Sequence, residues 1–180
     1  MQNVILSIAK QAIKDGLEHT STIDTNALLK HYPEFSKPKA TFVTLTLDGQ
    51  LRGCIGSLIA HRPFLDDLIY NAKAAAFDDP RFYPLSSEEF LHVSIEVSLL
   101  SAPESVEYSD TTDLKSKITV GEDGIILQKG ARKATFLPQV WEQLPTFELF
   151  FSHLCQKAGL DAHCLESHPD ISRYRVKKVK

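Results

Sequence analysis

Near the N-terminus apolar residues recur at three- and four-residue steps, at Val4, Ile5, Ile8, Ala12, Ile13 and Leu17. This spacing predicts an amphipathic helix, with Gly16 near its end at some cost in helix stability. A shorter helical piece is predicted around Asn26 to His31, ended by Pro33. The period then changes from helix to strand. In "KATFVTLTLDGQLRGCIGSL" Val43, Leu45 and Leu47 alternate with Thr44 and Thr46, and Asp48-Gly49 marks a tight hairpin turn. Helical spacing returns from Pro63 to Phe77, where Ala74, Ala75 and Ala76 thin one face for close packing.

"DDPRFYPL", with two prolines, interrupts the pattern before "FLHVSIEVSLL". Here Leu91, Val93, Ile95, Val97 and Leu99 fall on one face and His92, Ser94, Glu96 and Ser98 on the other, which predicts a strand. "KITVGEDGIILQKGARKATFLPQV" reads as short strands joined by turns at Gly121, Gly124 and Gly130. Thr146 is placed to cap a helix through "FELFFSHLCQKAGL", with Glu148 in its first turn and Gly159 at its end. "SRYRVKKVK" alternates again and predicts a closing strand. Strands interrupted by helices and joined by tight turns give an α+β fold, with a mostly antiparallel sheet flanked by helices. No repeat, low-complexity run or long linker divides the chain, so residues 1–180 read as a single domain.

Composition narrows the function classes. A formal net charge of −3 and a pI near 6.2 argue against a nucleic-acid partner. No apolar run approaches the roughly 20 residues of a membrane span, and the N-terminal segment lacks the basic stretch and cleavage site of an export signal. The three cysteines, Cys54, Cys155 and Cys164, form no CxxC pair. They are therefore expected to be free thiols in a reducing cytoplasm, in a chain long enough to fold without a disulfide or metal staple. The histidines are scattered, so no metal site is expected, and no GxGxxG or P-loop points to a cofactor.

Candidate chemistry concentrates in "LDGQLRGCIGSL". Pairing outward from Asp48-Gly49 places Leu45 opposite Arg52, Thr44 opposite Gly53 and Val43 opposite Cys54. Arg52 and Cys54, two apart on one strand, share a face, and an arginine beside a thiol favours the thiolate. Gly53 and Gly56 leave backbone bare, which suits a ligand or a second backbone approaching closely. The other reading is a tightly packed corner of the core, because a strand cysteine is commonly a small buried hydrophobe and strand glycines often mark a bulge. The residues alone leave both readings open. In "DDPRF", Asp79 and Arg81 are either a turn held by an ion pair or part of a site. Glu96, on the polar face of its strand, needs a partner if a second layer covers it, and Arg52 or Arg81 would serve. Gln139, in "FLPQV", is placed to hydrogen-bond a ligand or a loop. The basic tail, Arg173, Arg175, Lys177, Lys178 and Lys180, reads as an edge strand guarded by charge.

Together these segments resemble one known family. "TFVTLTLDGQLRGCIGSLIAHRP", "AAAFDDPRFYPL", "IEVSLLSAPE", "VGEDGIIL", "TFLPQVWEQLP", "KAGL" and "SRYRV" occur in the order found in the Ammecr domain family, known in prokaryotes as AmmeMemoRadiSam system protein A. "AHRP" and "FLPQVWEQLP" resemble its bacterial branch, and the likeness covers nearly all of the chain. It implies a larger and a smaller lobe around a cleft, with the hallmark segment contributing to a functional surface there. It also implies genetic association with a Memo-like protein and a radical S-adenosylmethionine protein, but no known reaction. The matching positions are Leu51, Arg52, Gly53, Cys54, Ile55 and Gly56, then Asp79, Pro80, Arg81 and Phe82, then Glu96, Ser98, Leu137, Pro138 and Gln139.

Two function classes follow. One is a binding or adaptor module whose cleft, lined by Arg52, Gly53, Cys54, Ile55, Gly56, Asp79, Arg81 and Gln139, takes a partner segment or a small molecule. The other is an enzyme acting on a small molecule or a modified residue. There Cys54 is nucleophile or redox centre, Arg52 stabilises thiolate or substrate anion, and Glu96 is acid/base or orienter. The recognition elements are more complete than the catalytic set, which favours binding.

Overall fold

A computed structural model describes all residues, 1–180. In chain order the elements are α1 (Gln2–Glu18), α2 (Thr25–His31), β1 (Thr41–Leu47), β2 (Gln50–Gly56), α3 (Phe64–Phe77), α4 (Ser87–Phe90) and β3 (Ser94–Leu100). They continue as β4 (Glu104–Ser105), α5 (Thr111–Lys117), β5 (Gly124–Lys129), β6 (Arg132–Phe136), α6 (Phe147–Lys157), β7 (Asp170–Tyr174) and β8 (Val176–Val179). The fold is α+β, and the chain forms two compact units, residues 1–100 with 177–180, and residues 101–176.

The first unit is built on a four-stranded sheet in the order β2-β1-β3-β8, in which β1 runs antiparallel to both β2 and β3. The alternation read from the sequence puts Val43, Leu45 and Val97 on the core face, each fully buried. They meet Ile5, Ile8, Ala9, Ala12 and Ile13 of α1 and Leu65, Leu68, Ala72, Ala75 and Ala76 of α3 in one apolar cluster. Burying each valine, leucine or isoleucine of this cluster is worth roughly 1.5–3 kcal/mol, and the alanines let the helices and sheet come close. The hairpin is also tied to α3 by a polar anchor. The buried Asp67 carboxylate accepts the Thr41 main-chain N–H at 2.8 Å, the Thr41 hydroxyl at 2.7 Å, the Ser57 hydroxyl at 2.6 Å and the Asn71 amide at 2.9 Å. Both open ends of the β1–β2 hairpin are thereby fixed to one helix residue, and the buried charge is satisfied.

The second unit carries an antiparallel sheet in the order β4-β7-β5-β6. Its core joins Ile125 and Leu127 to Trp141, Phe147, Phe150, Phe151 and Leu154. Trp141 stacks on Phe150 with centroids 3.6 Å apart and donates its Nε1–H to the Asp123 carbonyl at 2.8 Å. Thr146 caps α6 through its hydroxyl, and Gly159 adopts the left-handed conformation (φ 73°) that turns the chain back after the helix.

Four expectations change. Leu91 is not part of a strand: Ser86 and Glu89 form a reciprocal capping box that nucleates α4, leaving Leu91 76% exposed at its C-terminus. Gly124 is not a turn. It opens β5 opposite Tyr174, whose ring lies where a side chain at 124 would stand. The closing strand is two strands, with β7 in the second sheet and β8 in the first. Finally, Cys155 and Cys164 are not free but form a disulfide. The turn at Gly159 and the hydrogen bond from Leu160 N–H to the Cys155 carbonyl bring residue 164 back over the last turns of α6, with Cα atoms 5.8 Å apart, inside the span a disulfide bridges. The inference of a reducing compartment rested on free thiols and loses that support. No helix is long and apolar enough to cross a membrane.

Thiol titration tests this pairing. The denatured, unreduced chain is expected to show one reactive thiol, Cys54, and all three cysteines only after reduction. Three thiols without reduction would contradict it.

Candidate functional site at the hairpin edge

The hairpin does not keep the simple register predicted from its turn. Leu47 pairs with Gln50 and Thr46 with Leu51, but Leu45 then pairs with Gly53, Thr44 with Cys54 and Val43 with Ile55. Arg52 is the extra residue of a β-bulge. A one-residue shift turns every following side chain to the other face. Cys54, expected opposite the core residue Val43, lies opposite Thr44 instead, on the face away from the helices, and Gly53 and Ile55 take the core face.

That exchange explains the two glycines. A Cβ at Gly53 would fall inside contact distance of the Ala75 carbonyl oxygen, in the last turn of α3. The end carbonyls of a helix lack partners within it. Those of Ala74 and Ala76 accept N–H bonds from Asp78 and Leu85, while that of Ala75 meets the Gly53 Cα–H. The second backbone expected near Gly53 is therefore α3 itself. At Gly56 the side-chain space is filled by the ring of its cross-strand partner Phe42.

On the outward face Cys54, Thr44 and Glu96 stand in register across β2, β1 and β3. The Thr44 hydroxyl lies 3.3 Å from the Cys54 sulfur. Glu96 does not pair with Arg52 or Arg81. Its carboxylate is 3.2 Å from the Lys178 ammonium and 2.8 Å from that of Lys180, both on the β8 side of the sheet. Burial pushes the Glu96 carboxyl up, but Lys180 and Lys178 outweigh it and hold the group below its ordinary value. A thiol, a hydroxyl and a carboxylate held by two lysines thus form one polar row.

The edge of β2 is lined by the segment from Asp79 to Glu89. Asp79 accepts the Cys54 main-chain N–H at 2.9 Å, and Arg81 donates to the Cys54 carbonyl at 3.3 Å. The same two side chains are joined by a forked pair, Nε to Oδ1 at 3.0 Å and Nη2 to Oδ2 at 2.8 Å. Arg81, followed by the Cys54 N–H, keeps the buried Asp79 carboxyl well below the usual carboxylate range despite its desolvation. Arg52, re-aimed by the bulge, makes its own forked pair with Glu89 at 2.8 and 2.9 Å and donates to the Tyr83 carbonyl at 3.0 Å. Both guanidiniums lie within 6 Å of the Phe82 ring. Arg52, then the Ser86 main-chain N–H, lowers the Glu89 carboxyl to about 2.

Of the residues singled out in the sequence, Arg52, Cys54, Asp79 and Arg81 come together here. Glu96 is joined to Cys54 through Thr44, Ile55 packs on the core, and Gln139 lies exposed in the second unit on the 3-10 turn Pro138–Glu142. Thr44, Glu89 and Asp67 were missed. The spacing Ser86-x-x-Glu89 is a capping-box signal that pointed to one of them. No group of three or more His, Cys, Asp or Glu side chains arranged to hold a metal ion is present.

The Arg52–Glu89 pair makes a pH prediction. A carboxyl depressed in the folded state stabilises at neutral pH, and that contribution fades as pH falls from about 5 toward 2. Arg52→Gln is expected to cost about 1–2 kcal/mol near pH 7, discounted for partial exposure. The deficit should shrink steadily in denaturation curves taken down to pH 2. A deficit independent of pH would rule out the ion pair as its source.

Comparison with known proteins agrees with this architecture. A protein of Methanothermobacter thermautotrophicus is 37% identical over 177 residues, covering 95% of this chain and 88% of the relative. Another, from Saccharolobus solfataricus, is 37% identical over 183 residues, covering 95% and 77%. The crystal structure of the uncharacterized protein PH0010 from Pyrococcus horikoshii is similar with a TM-score of 0.82 and 31% identity, covering 97% of this chain and 88% of that one. The AMMECR1 family model matches residues 6–179, and this chain belongs to the AMMECR1 family.

Proposed function

We propose that this chain is a binding component that uses the outward face of the LRGCIG hairpin to engage a partner, and that its partners are the Memo-like and radical S-adenosylmethionine proteins implied by the family resemblance. The observation that carries this reading is how Arg52 is used. Two of its nitrogens are committed to Glu89 and the Tyr83 carbonyl, and Glu96 is committed to two lysines. The cation and the carboxylate that thiol catalysis would draw on are held in internal pairs. What the face offers outward is a ring, a hydroxyl and a half-buried thiol, Phe42, Thr44 and Cys54, on a rigid strand pair. Such groups recognise a surface or a small molecule without turning it over.

The second reading, an enzyme with Cys54 as nucleophile or redox centre, rests on one feature. Cys54 is a free thiol, partly open to solvent, with the Arg81 guanidinium on its own carbonyl.

Binding of the wild-type chain to the Memo-like and radical S-adenosylmethionine proteins of the same genome, measured by calorimetry, separates the two. The binding reading expects Thr44→Val and Phe42→Ala to weaken association about tenfold, or ~1.4 kcal/mol, and Cys54→Ser to change it little. Absence of binding to either protein overturns it. Rapid alkylation of Cys54 well below the ordinary thiol range of about 8.5 would favour the enzyme reading instead.

A further inference from the structure

β2 is an edge strand, and an edge presents unpaired N–H and C=O groups on which another extended chain can pair. At Cys54 both of those groups are occupied, and by side chains rather than by a strand. The N–H donates to the Asp79 carboxylate and the carbonyl accepts from the Arg81 guanidinium, 2.9 and 3.3 Å away. A neighbouring strand would supply a carbonyl for the first and an N–H for the second. The Asp79–Arg81 pair supplies the same acceptor and donor, already fixed to each other by a forked ion pair. Two residues before Cys54, Arg52 reaches out to Glu89 and the Tyr83 carbonyl of the same segment. No main-chain-to-main-chain hydrogen bond joins residues 79–89 to β2. The segment covers the edge entirely through side-chain contacts to it.

We propose that Asp79 and Arg81 are a side-chain substitute for a fifth strand, and that they guard the β2 edge against pairing with a second copy of this chain. A second copy is the relevant occupant because both main-chain groups of Cys54 point to the edge, which makes that edge complementary to itself under a two-fold axis. Two β2 edges, antiparallel about Cys54, would exchange the very N–H and C=O that the guard now holds. The guard also explains the residue types. A carboxylate and a guanidinium in a forked pair satisfy a backbone donor and acceptor while presenting charge, which no approaching strand can pair with. This role is independent of whether the outward polar row binds a partner.

The test compares Asp79→Ala, Asp79→Asn and Arg81→Ala by amide exchange at Cys54 and by sedimentation velocity across a range of protein concentrations. Asp79→Ala removes the acceptor, so the Cys54 amide is expected to exchange about tenfold or more faster and the protein to self-associate with rising concentration. Asp79→Asn keeps a carbonyl acceptor and is expected to protect the amide and stay monomeric. Should Asp79→Ala fail to fold, Arg81→Ala carries the test, since that side chain is 54% exposed and its loss frees the Cys54 carbonyl. It is expected to self-associate. A folded Asp79→Ala with unchanged exchange and no association, a monomeric Arg81→Ala, or a wild-type protein already paired through β2 would each overturn the proposal.

Discussion

The close approach of Gly53 to the Ala75 carbonyl sets where the other groups of the hairpin lie. Strand β2 sits so near the last turn of α3 that only a hydrogen fits between them. That contact holds Gly53 on the core face, so the bulge at Arg52 must precede it, and Cys54 must follow on the outward face. With Thr44 beside it and its main-chain groups pointing to the sheet edge, Cys54 is then within reach of Asp79 and Arg81. Asp67 completes the arrangement by fixing both open ends of the hairpin to the same helix. One helix therefore positions the hairpin at its ends and at its centre.

The charges of the hairpin are used in pairs. Arg52 belongs to Glu89, Arg81 to Asp79, and Glu96 to Lys178 and Lys180. Forked arginine–carboxylate pairs fix geometry in two directions and are hard to displace. The surface they build is one of internally matched charges.

Much of this was legible in the sequence. The three-to-four periodicity located α1 and α3, alternation located β1 and β3 while running past the start of β3 at Leu91, and Asp48-Gly49 placed the turn. The motif positions of Arg52, Cys54, Asp79 and Arg81 are legible from the sequence, whereas their contacts are not. What local pattern did not reveal depends on contacts between distant positions. The bulge is decided by a helix carbonyl some twenty residues on from Gly53, and counting from the turn cannot register it. Glu89 was hidden because alternation around Leu91 outweighed the capping-box spacing. The Cys155–Cys164 bond was missed because the intervening Gly159 turn, not a short motif, brings the two together.

The most direct test of the close approach is the stability of Gly53→Ala in chemical denaturation. Gly53 does not have a positive φ, so alanine meets no left-handed backbone strain there, and its lower unfolded-chain entropy favours the variant; a net loss therefore reports the lack of space. The obstructing atom is backbone, in a helix that cannot shift without disturbing the core. The account predicts a loss of about 3 kcal/mol, together with altered exchange of the Cys54 amide as the strand moves off α3. A variant within about 0.5 kcal/mol of the wild type, the scale of an ordinary surface change, with Cys54 undisturbed, would contradict it.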